Sequence, residues 1–90
     1  MQTQMGLGFK AGTLANGTPF VETMNGAPLP ATITLESTAG GRAIEFSPDG
    51  VSWFTPTYSI NVTAMLVAVA DATIAAVRFT GATGNTYDIR

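Results

Sequence analysis

ATITLES, residues 31–37, shows clearly how the chain folds. Apolar or small residues stand at its odd positions, and polar residues stand at its even positions. Successive side chains of an extended chain point to opposite faces, so this period of two predicts a strand with one face in a core. RAIEFS, residues 42–47, repeats the pattern, with Ile44 and Phe46 on one face. The two stretches indicate half-buried β-strands.

The Gly-rich residues 38–41 separate these two strands and predict a hairpin between them. A two-residue turn would place Glu36 directly opposite Glu45, and like charges at opposed positions destabilise a strand pair. A four-residue loop instead pairs Leu35 with Ile44, and both of these residues are apolar. We therefore expect a hairpin with a four-residue loop.

The C-terminal half continues with short apolar stretches separated by turns. Residues 65–70 and 74–80 form a second apolar pair, and a last strand covers residues 86–90. We expect Phe79 to face the core and to pair with Tyr87. No amphipathic helix of three turns is visible in the sequence. Several short strands joined by Gly-rich turns predict an all-β fold, either a small antiparallel β-sandwich or a barrel.

Residues 1–30 differ in composition from the rest of the chain. They hold five of the ten glycines and three of the five prolines, and they show little periodicity beyond Phe20-Val21. We interpret them as an extended N-terminal arm with one or two short strands, and residues 31–90 as the β-sandwich domain. The arm is either a flexible leader or a segment that becomes ordered on a neighbouring subunit. The sequence leaves both interpretations open.

The chain has few ionic groups for its content of apolar residues. Hydrophobic residues make up 46% and charged residues 11%, whereas charged residues are roughly 25% of an ordinary soluble domain. A subunit that buries much of its surface in an assembly needs fewer charges than a free monomer, so we expect oligomerisation or docking on other proteins. The alternative is a surface coated by Thr, Ser, Asn and Gly.

Charge and hydropathy limit the classes of partner. The net charge is −2, and the four basic residues stand far apart in the sequence. A nucleic-acid-binding surface carries clustered Lys and Arg, so we expect no nucleic-acid partner. The most apolar stretch, residues 64–79, is too short to span a bilayer and contains Asp71, so we expect no membrane partner. The N-terminus, residues 1–5, lacks the basic and apolar regions of a secretory signal, so we expect a soluble product without a leader.

The sequence offers no plausible catalytic centre. It contains no His and no Cys, so the usual nucleophile–base pairs cannot form. A pair of carboxylates is the conventional option that remains, and Glu36 and Glu45 are expected near each other but on a solvated face. We expect no enzyme activity, no metal and no cofactor. We interpret Asp49, in the SPDG turn of residues 47–50, as a cap of that turn rather than a calcium ligand.

Aromatic residues are the best candidates for a binding surface. Trp53 and Phe54 are adjacent, so on a strand they face opposite sides. We expect one of them in the core and the other covered by the arm or by a partner. The candidate interface residues are Trp53, Phe54, Phe20, Val21 and Tyr58. In an alternative interpretation, exposed aromatic rings stack on sugars and the chain is a carbohydrate-binding β-sandwich module.

Three segments carry a resemblance to known proteins: IEFSPDG at residues 44–50, WFTP at residues 53–56 and VRFTGATGNTYDIR at residues 77–90. Within residues 31–90 the chain resembles small β-sandwich structural proteins of tailed bacteriophages, which are rich in Thr, Gly and Ala, lack Cys and carry few charges. Some of these are cement or decoration proteins of the capsid, and others belong to tails or fibres. The group carries no catalytic residues.

The resemblance implies a virion structural protein that is made in the host cytoplasm and present in many copies. The implied function is that of a capsid decoration or cement subunit, which binds the major capsid protein or other virion proteins and braces the shell. A homo-oligomer is implied, with a trimer among the options. A tail, baseplate or fibre component is the alternative within the same particle. The sequence leaves open the position in the particle, the symmetry, exchange of the arm between subunits and any glycan ligand.

Overall fold

The computed structural model describes residues 9–15, 19–56 and 59–90, with the backbone alone for residues 59–62. The described residues form eight strands and no helix. The strands are β1 (Lys10–Thr13), β2 (Phe20–Thr23), β3 (Ala31–Glu36), β4 (Ala43–Ser47), β5 (Ser59–Val62), β6 (Met65–Ala70), β7 (Ala76–Thr80) and β8 (Thr86–Ile89). The prediction of an all-β fold is confirmed.

The strands form two antiparallel sheets that pack against each other. The strand order in the five-stranded sheet is β1-β8-β3-β6-β5, and the order in the three-stranded sheet is β2-β7-β4. The centre of the larger sheet is β3, between β8 and β6. The centre of the smaller sheet is β7, between β2 and β4. Of the two architectures that the sequence allows, the described strands form the sandwich.

The core lies between the sheets and is built from the apolar faces of their strands. In β3, buried and more exposed positions alternate, as the period of two predicts. The residues with no exposed surface include Ile33 and Leu35 of β3, Val77 and Phe79 of β7, and Ile89 of β8. Full burial of a side chain of this kind stabilises a fold by about 1.5–3 kcal/mol relative to exposure. These residues therefore supply much of the free energy that holds the sheets together.

The predicted hairpin between β3 and β4 is wrong. β3 pairs with β6 and β8, whereas β4 pairs with β7 in the other sheet. Leu35 is paired with Leu66 and Tyr87 instead of Ile44. Alternation of apolar residues requires only that both strands face one core, and strands in opposite sheets meet that requirement equally well. Residues 37–42 therefore cross from one sheet to the other.

The predicted pairing of Phe79 with Tyr87 on neighbouring strands is also wrong, because β7 and β8 belong to different sheets. The two residues nevertheless meet: their rings stack across the core, with centroids 4.7 Å apart and planes at 27°. Phe20 of β2 adds a third ring, 5.4 Å from that of Tyr87. Aromatic pairs contribute roughly 0.5–1.5 kcal/mol beyond the area that they bury. This aromatic cluster links the two sheets.

The described part of residues 1–30 belongs to the sandwich. β1 adds an edge strand to the larger sheet by pairing with β8, and β2 adds one to the smaller sheet by pairing with β7. Leu14 and Met24, which follow these strands, are buried in the core. β1 and β2 are short strands, as expected for residues 1–30, and they belong to the same two sheets as β3 to β8. Strands of four residues are too short to show a clear alternation.

Gly12 of β1 makes room for the aromatic cluster. Its partner across the strand pair is Tyr87, whose ring lies over the glycine. A Cβ atom at position 12 would stand 2.7 Å from the Tyr87 hydroxyl oxygen and 3.0 Å from the ring carbon Cζ. Both distances are shorter than an ordinary van der Waals contact. The close approach of a side chain therefore requires a glycine here.

Substitution Gly12→Ala is expected to destabilise the fold by about 1–3 kcal/mol, the usual range for an overpacked site. Gly41→Ala is the matched control, since a Cβ atom there meets no other atom within 4 Å. We expect the control to leave the free energy of unfolding unchanged or to raise it by at most about 1 kcal/mol. Urea denaturation measures both variants. Equal stabilities would contradict the packing of Tyr87 on Gly12.

Candidate partner-binding surface

The turn after β4 is closed by its own polar side chains. Asp49 Oδ1 accepts hydrogen bonds from the backbone N–H groups of Val51 at 2.8 Å and Ser52 at 2.9 Å. It also accepts the Ser47 hydroxyl at 3.1 Å, and the Ser47 oxygen accepts the N–H of Gly50 at 2.7 Å. The backbone donors of Ser52 and Val51 hold the pKa of Asp49 below its ordinary value. Asp49 caps the turn, as the sequence predicts.

The turn brings Phe54 back alongside β4. Two backbone hydrogen bonds of 2.9 Å join Phe54 and Phe46 in an isolated bridge. Pro56 follows two residues later and has no N–H to donate, which prevents a continued ladder. The backbone of Phe54 is therefore fixed, while 58% of the residue remains exposed. Both rings border a groove of about 480 Å³ that is also lined by Pro56, Val69 and Ile74.

A second groove, of about 540 Å³, shares Ile74 with the first and is bordered by Met24, Leu29 and Pro48. Leu29 is 43% exposed. Among the described residues that line the two grooves, Asp71 alone is charged. The two grooves form one region with an apolar lining, which we call the apolar end surface. Its defining residues are Leu29, Phe46, Pro48, Phe54, Pro56 and Ile74.

Trp53 lies at the outer face of the three-stranded sheet. The guanidinium carbon of Arg78 stands 4.5 Å from the centroid of its ring, and Arg78 also pairs with Glu45 at 2.9 and 3.0 Å. Val21, which is 47% exposed, is the cross-strand neighbour of Arg78.

The expectation that either Trp53 or Phe54 lies in the core is wrong. Their segment forms one bridge at the rim of the sheet, so neither of its sides meets the core.

The five sequence candidates fall into different places. Phe20 is partly buried in the aromatic cluster and offers little surface to a partner. Tyr58 lies outside the described residues. Val21 and Trp53 lie on the outer face of the three-stranded sheet, and Phe54 borders the apolar end surface. Of the candidates with described positions, Phe54 therefore combines the greatest exposure with an adjacent groove.

Sequence reasoning missed Leu29 and Ile74. A usable signal exists for Leu29, which stands between Pro28 and Pro30. Proline interrupts strand pairing, so this pattern leaves a large apolar side chain in a loop. Ile74 has no such signal, because it lies in a continuous apolar stretch just before β7. Its position at the junction of two grooves depends on the fold.

A polar cluster joins the two sheets at the edge formed by β1 and β2. Lys10 Nζ donates to Glu22 Oε1 at 3.0 Å and to the hydroxyl and carbonyl oxygens of Thr23 at 2.8 and 3.0 Å. The Tyr87 hydroxyl donates to Glu22 Oε2 at 2.8 Å. Burial raises the pKa of Glu22, but the hydrogen bonds from Lys10 and Tyr87 outweigh it and hold the pKa below its ordinary value. Burial and the Glu22 carboxylate raise the pKa of Tyr87 to about 12.

The two carboxylates considered for catalysis are separated in the fold. Glu36, in the five-stranded sheet, accepts a hydrogen bond from the Thr86 hydroxyl. Glu45, in the three-stranded sheet, is paired with Arg78. Nowhere in the described part of the chain do three or more His, Cys, Asp or Glu residues gather as metal ligands would. The residues that the structure describes also include no helix suited to crossing a bilayer.

Comparison of the chain with protein-family models, with curated proteins and with solved structures finds no match. The main feature of the apolar end surface is Phe54, an aromatic residue that is mostly exposed. Two hydrogen bonds hold its backbone, and its ring borders a groove with a largely apolar lining. Such a surface is suited to contact with another protein.

The pKa values of Glu22 and Tyr87 predict a stability that falls at both ends of the pH scale. A carboxyl group whose pKa is lowered by folding stabilises the fold above its unfolded pKa of about 4.3, and this contribution is lost as the pH falls through the folded pKa. A phenol whose pKa is raised stabilises the fold below about pH 10. That contribution is lost as the pH rises toward the folded Tyr87 pKa of about 12.

Two variants assign these effects to the polar cluster. Glu22→Gln is expected to melt at a lower temperature than the wild type at neutral pH, but to show a shallower decline below about pH 5. Tyr87→Phe is expected to show a shallower decline above about pH 10. Melting curves followed by circular dichroism across the pH range measure both. Variant curves that run parallel to the wild-type curve in these windows would contradict the assignment.

Proposed function

We propose that the chain is a non-catalytic structural protein that docks on a larger protein assembly through the apolar end surface. The main support for the proposal is that Phe54 is both fixed in position and exposed. Its backbone is fixed by two hydrogen bonds to Phe46, while its ring stands mostly in solvent beside an apolar groove. A rigid, exposed aromatic residue next to a groove is well suited to anchor a protein–protein interface.

Docking at this surface displaces few ionic groups. Asp71 is the one charged residue among the described residues that line the grooves, so a partner covers the surface with little loss of charge hydration. Complete burial of a side chain such as Phe54 or Leu29 contributes about 1.5–3 kcal/mol. The free energy per copy is therefore modest. An assembly that presents many identical sites suits such a subunit, particularly if the subunit is itself an oligomer that binds several sites together.

We propose further that the assembly is the particle of a tailed bacteriophage, and that the chain is a capsid decoration or cement subunit bound to the major capsid protein. The support for this step is the resemblance of residues 31–90 to small virion β-sandwich proteins. A subunit that braces a shell acts through contact area rather than through reactive groups. That role fits a chain with 11% charged residues and without Cys or His. Association into a homo-oligomer is part of the same proposal.

The other functions fit the described residues less well or use the same surface. A tail, baseplate or fibre component would dock through the apolar end surface in fewer copies.

A carbohydrate-binding module needs exposed aromatic rings. Arg78 covers a face of Trp53, and Tyr87 is buried. Among the aromatic residues that the structure describes, Phe54 alone is mostly exposed.

The proposal predicts that the chain is a component of purified phage particles. Quantitative mass spectrometry of particles from cells that carry the gene measures its copy number against those of the capsid and tail proteins. A copy number equal to that of the major capsid protein, or a simple fraction of it, is expected for a decoration subunit. A copy number close to that of the tail proteins would favour the tail alternative. Absence from the particles would contradict a virion protein.

Phe54→Ser is expected to weaken docking on particles assembled without the chain by about 2 kcal/mol or more, roughly 30-fold in Kd. Val51→Ser is the matched control, because Val51 is 78% exposed but lines neither groove. Both variants are expected to keep the wild-type free energy of unfolding within about 1 kcal/mol. Cosedimentation of the purified chain with the particles measures docking. Equal docking of the two variants would exclude the apolar end surface as the contact.

A further inference from the structure

A turn on the border of the apolar end surface carries the sequence Asn25-Gly26. The N–H of Ala27 donates to the carbonyl oxygen of Met24 at 3.0 Å and closes the turn, and Gly26 has a φ of 86°. Both Asn25 and Gly26 are exposed, and a Cβ atom on Gly26 would meet no other atom within 4 Å. In the described part of the chain, the Gly26 N–H donates no hydrogen bond. The Asn25 amide and the nitrogen that follows it are therefore unobstructed.

We propose that Asn25 and Gly26 form a modification site at which the side-chain amide is lost and a carboxylate replaces it. The Gly26 nitrogen attacks Asn25 Cγ and forms a new N–Cγ bond. The proton that the Gly26 nitrogen loses passes to Nδ2, directly or through water, and the Cγ–Nδ2 bond breaks with release of ammonia. Water then opens the five-membered imide at either carbonyl and leaves aspartate or isoaspartate. Water is the co-reactant, and no oxidant or reductant takes part.

Glycine makes this site reactive, because a side chain on the residue after asparagine obstructs the attack on Cγ. Asn85 offers a contrast within the same chain. It precedes the β-branched Thr86, and its Oδ1 accepts a hydrogen bond from the N–H of Ala82 at 2.7 Å. This bond holds the amide in place, and the Thr86 side chain crowds the nitrogen that would attack. Asn85 is therefore expected to persist where Asn25 reacts.

The new carboxylate stands beside the groove that Leu29 and Ile74 line. The modification makes the formal net charge of −2 more negative by one elementary charge. A carboxylate at an apolar contact loses hydration when a partner covers it, which costs free energy. The modification therefore weakens docking as the protein ages. This consequence rests on the proposed function, whereas the chemistry at Asn25 does not.

Mass spectrometry of the aged protein tests the site without any partner. The purified chain is incubated at neutral pH and physiological temperature and then cleaved after Glu, which releases residues 23–36 with Asn25 as their single asparagine. We expect this peptide to gain about 1 Da and to separate into aspartate and isoaspartate forms. The tryptic peptide of residues 79–90, which contains Asn85, is expected to keep its mass.

Asn25→Gln is the control for the chemistry, because its longer side chain cannot form the five-membered imide, and its peptide is expected to keep its mass. An unchanged wild-type peptide, or equal conversion at Asn25 and Asn85, would overturn the proposal. For the effect on docking, Asn25→Asp is expected to bind particles roughly tenfold more weakly than Asn25→Gln. Equal docking of these two variants would refute that effect alone. A wild-type chain that does not dock at all would contradict the proposed function and not the modification site.

Discussion

Contact of the Tyr87 side chain with the opposite sheet fixes how the two sheets pack. Tyr87 belongs to the five-stranded sheet, yet its ring stacks on Phe79 at 4.7 Å and its hydroxyl donates to Glu22 at 2.8 Å, both in the three-stranded sheet. The same ring occupies the space above Gly12. One side chain thus helps to set the separation of the sheets and the positions of β1 and β2. A chain of 90 residues without cysteine depends strongly on such contacts, because a small core has little free energy to spare.

The way in which the chain alternates between the two sheets explains where the apolar end surface lies. Strands that follow each other in sequence belong to different sheets, except for β5 and β6. Three of the crossings, within residues 24–30, 48–56 and 71–75, supply residues to the two grooves that share Ile74. Crossing segments carry apolar side chains because they close the end of the core, and their outermost residues remain partly in solvent. The surface proposed for docking is therefore a consequence of the same topology that builds the core.

Strand faces could be predicted from the sequence, whereas strand partners could not. The buried positions of Ile33, Leu35 and Phe79 follow from a period of two, since alternation reports which side of a strand meets the core. Alternation predicts a hairpin that pairs Leu35 with Ile44, but the two residues lie in opposite sheets. The pattern is the same in both arrangements, so it cannot distinguish them. The site is predictable in part. Phe54 is a sequence candidate, and the flanking prolines indicate that Leu29 lies in a loop. That Leu29 and Ile74 belong to the same surface as Phe54 depends on crossings that the sequence does not reveal. The Arg78 side chain that covers Trp53 could not be foreseen either, since it comes from a strand distant in sequence.

Docking through the apolar end surface is tested most directly by oxidative footprinting of side chains, on the free chain and on the chain bound to its particle. We predict that Phe54 and Leu29 react in the free chain and become protected in the bound one. Val21 and Met65, which are exposed but line neither groove, are predicted to react at the same rate in both states. Protection of Val21 or Met65 with no change at Phe54 and Leu29 would contradict the proposed mode of docking.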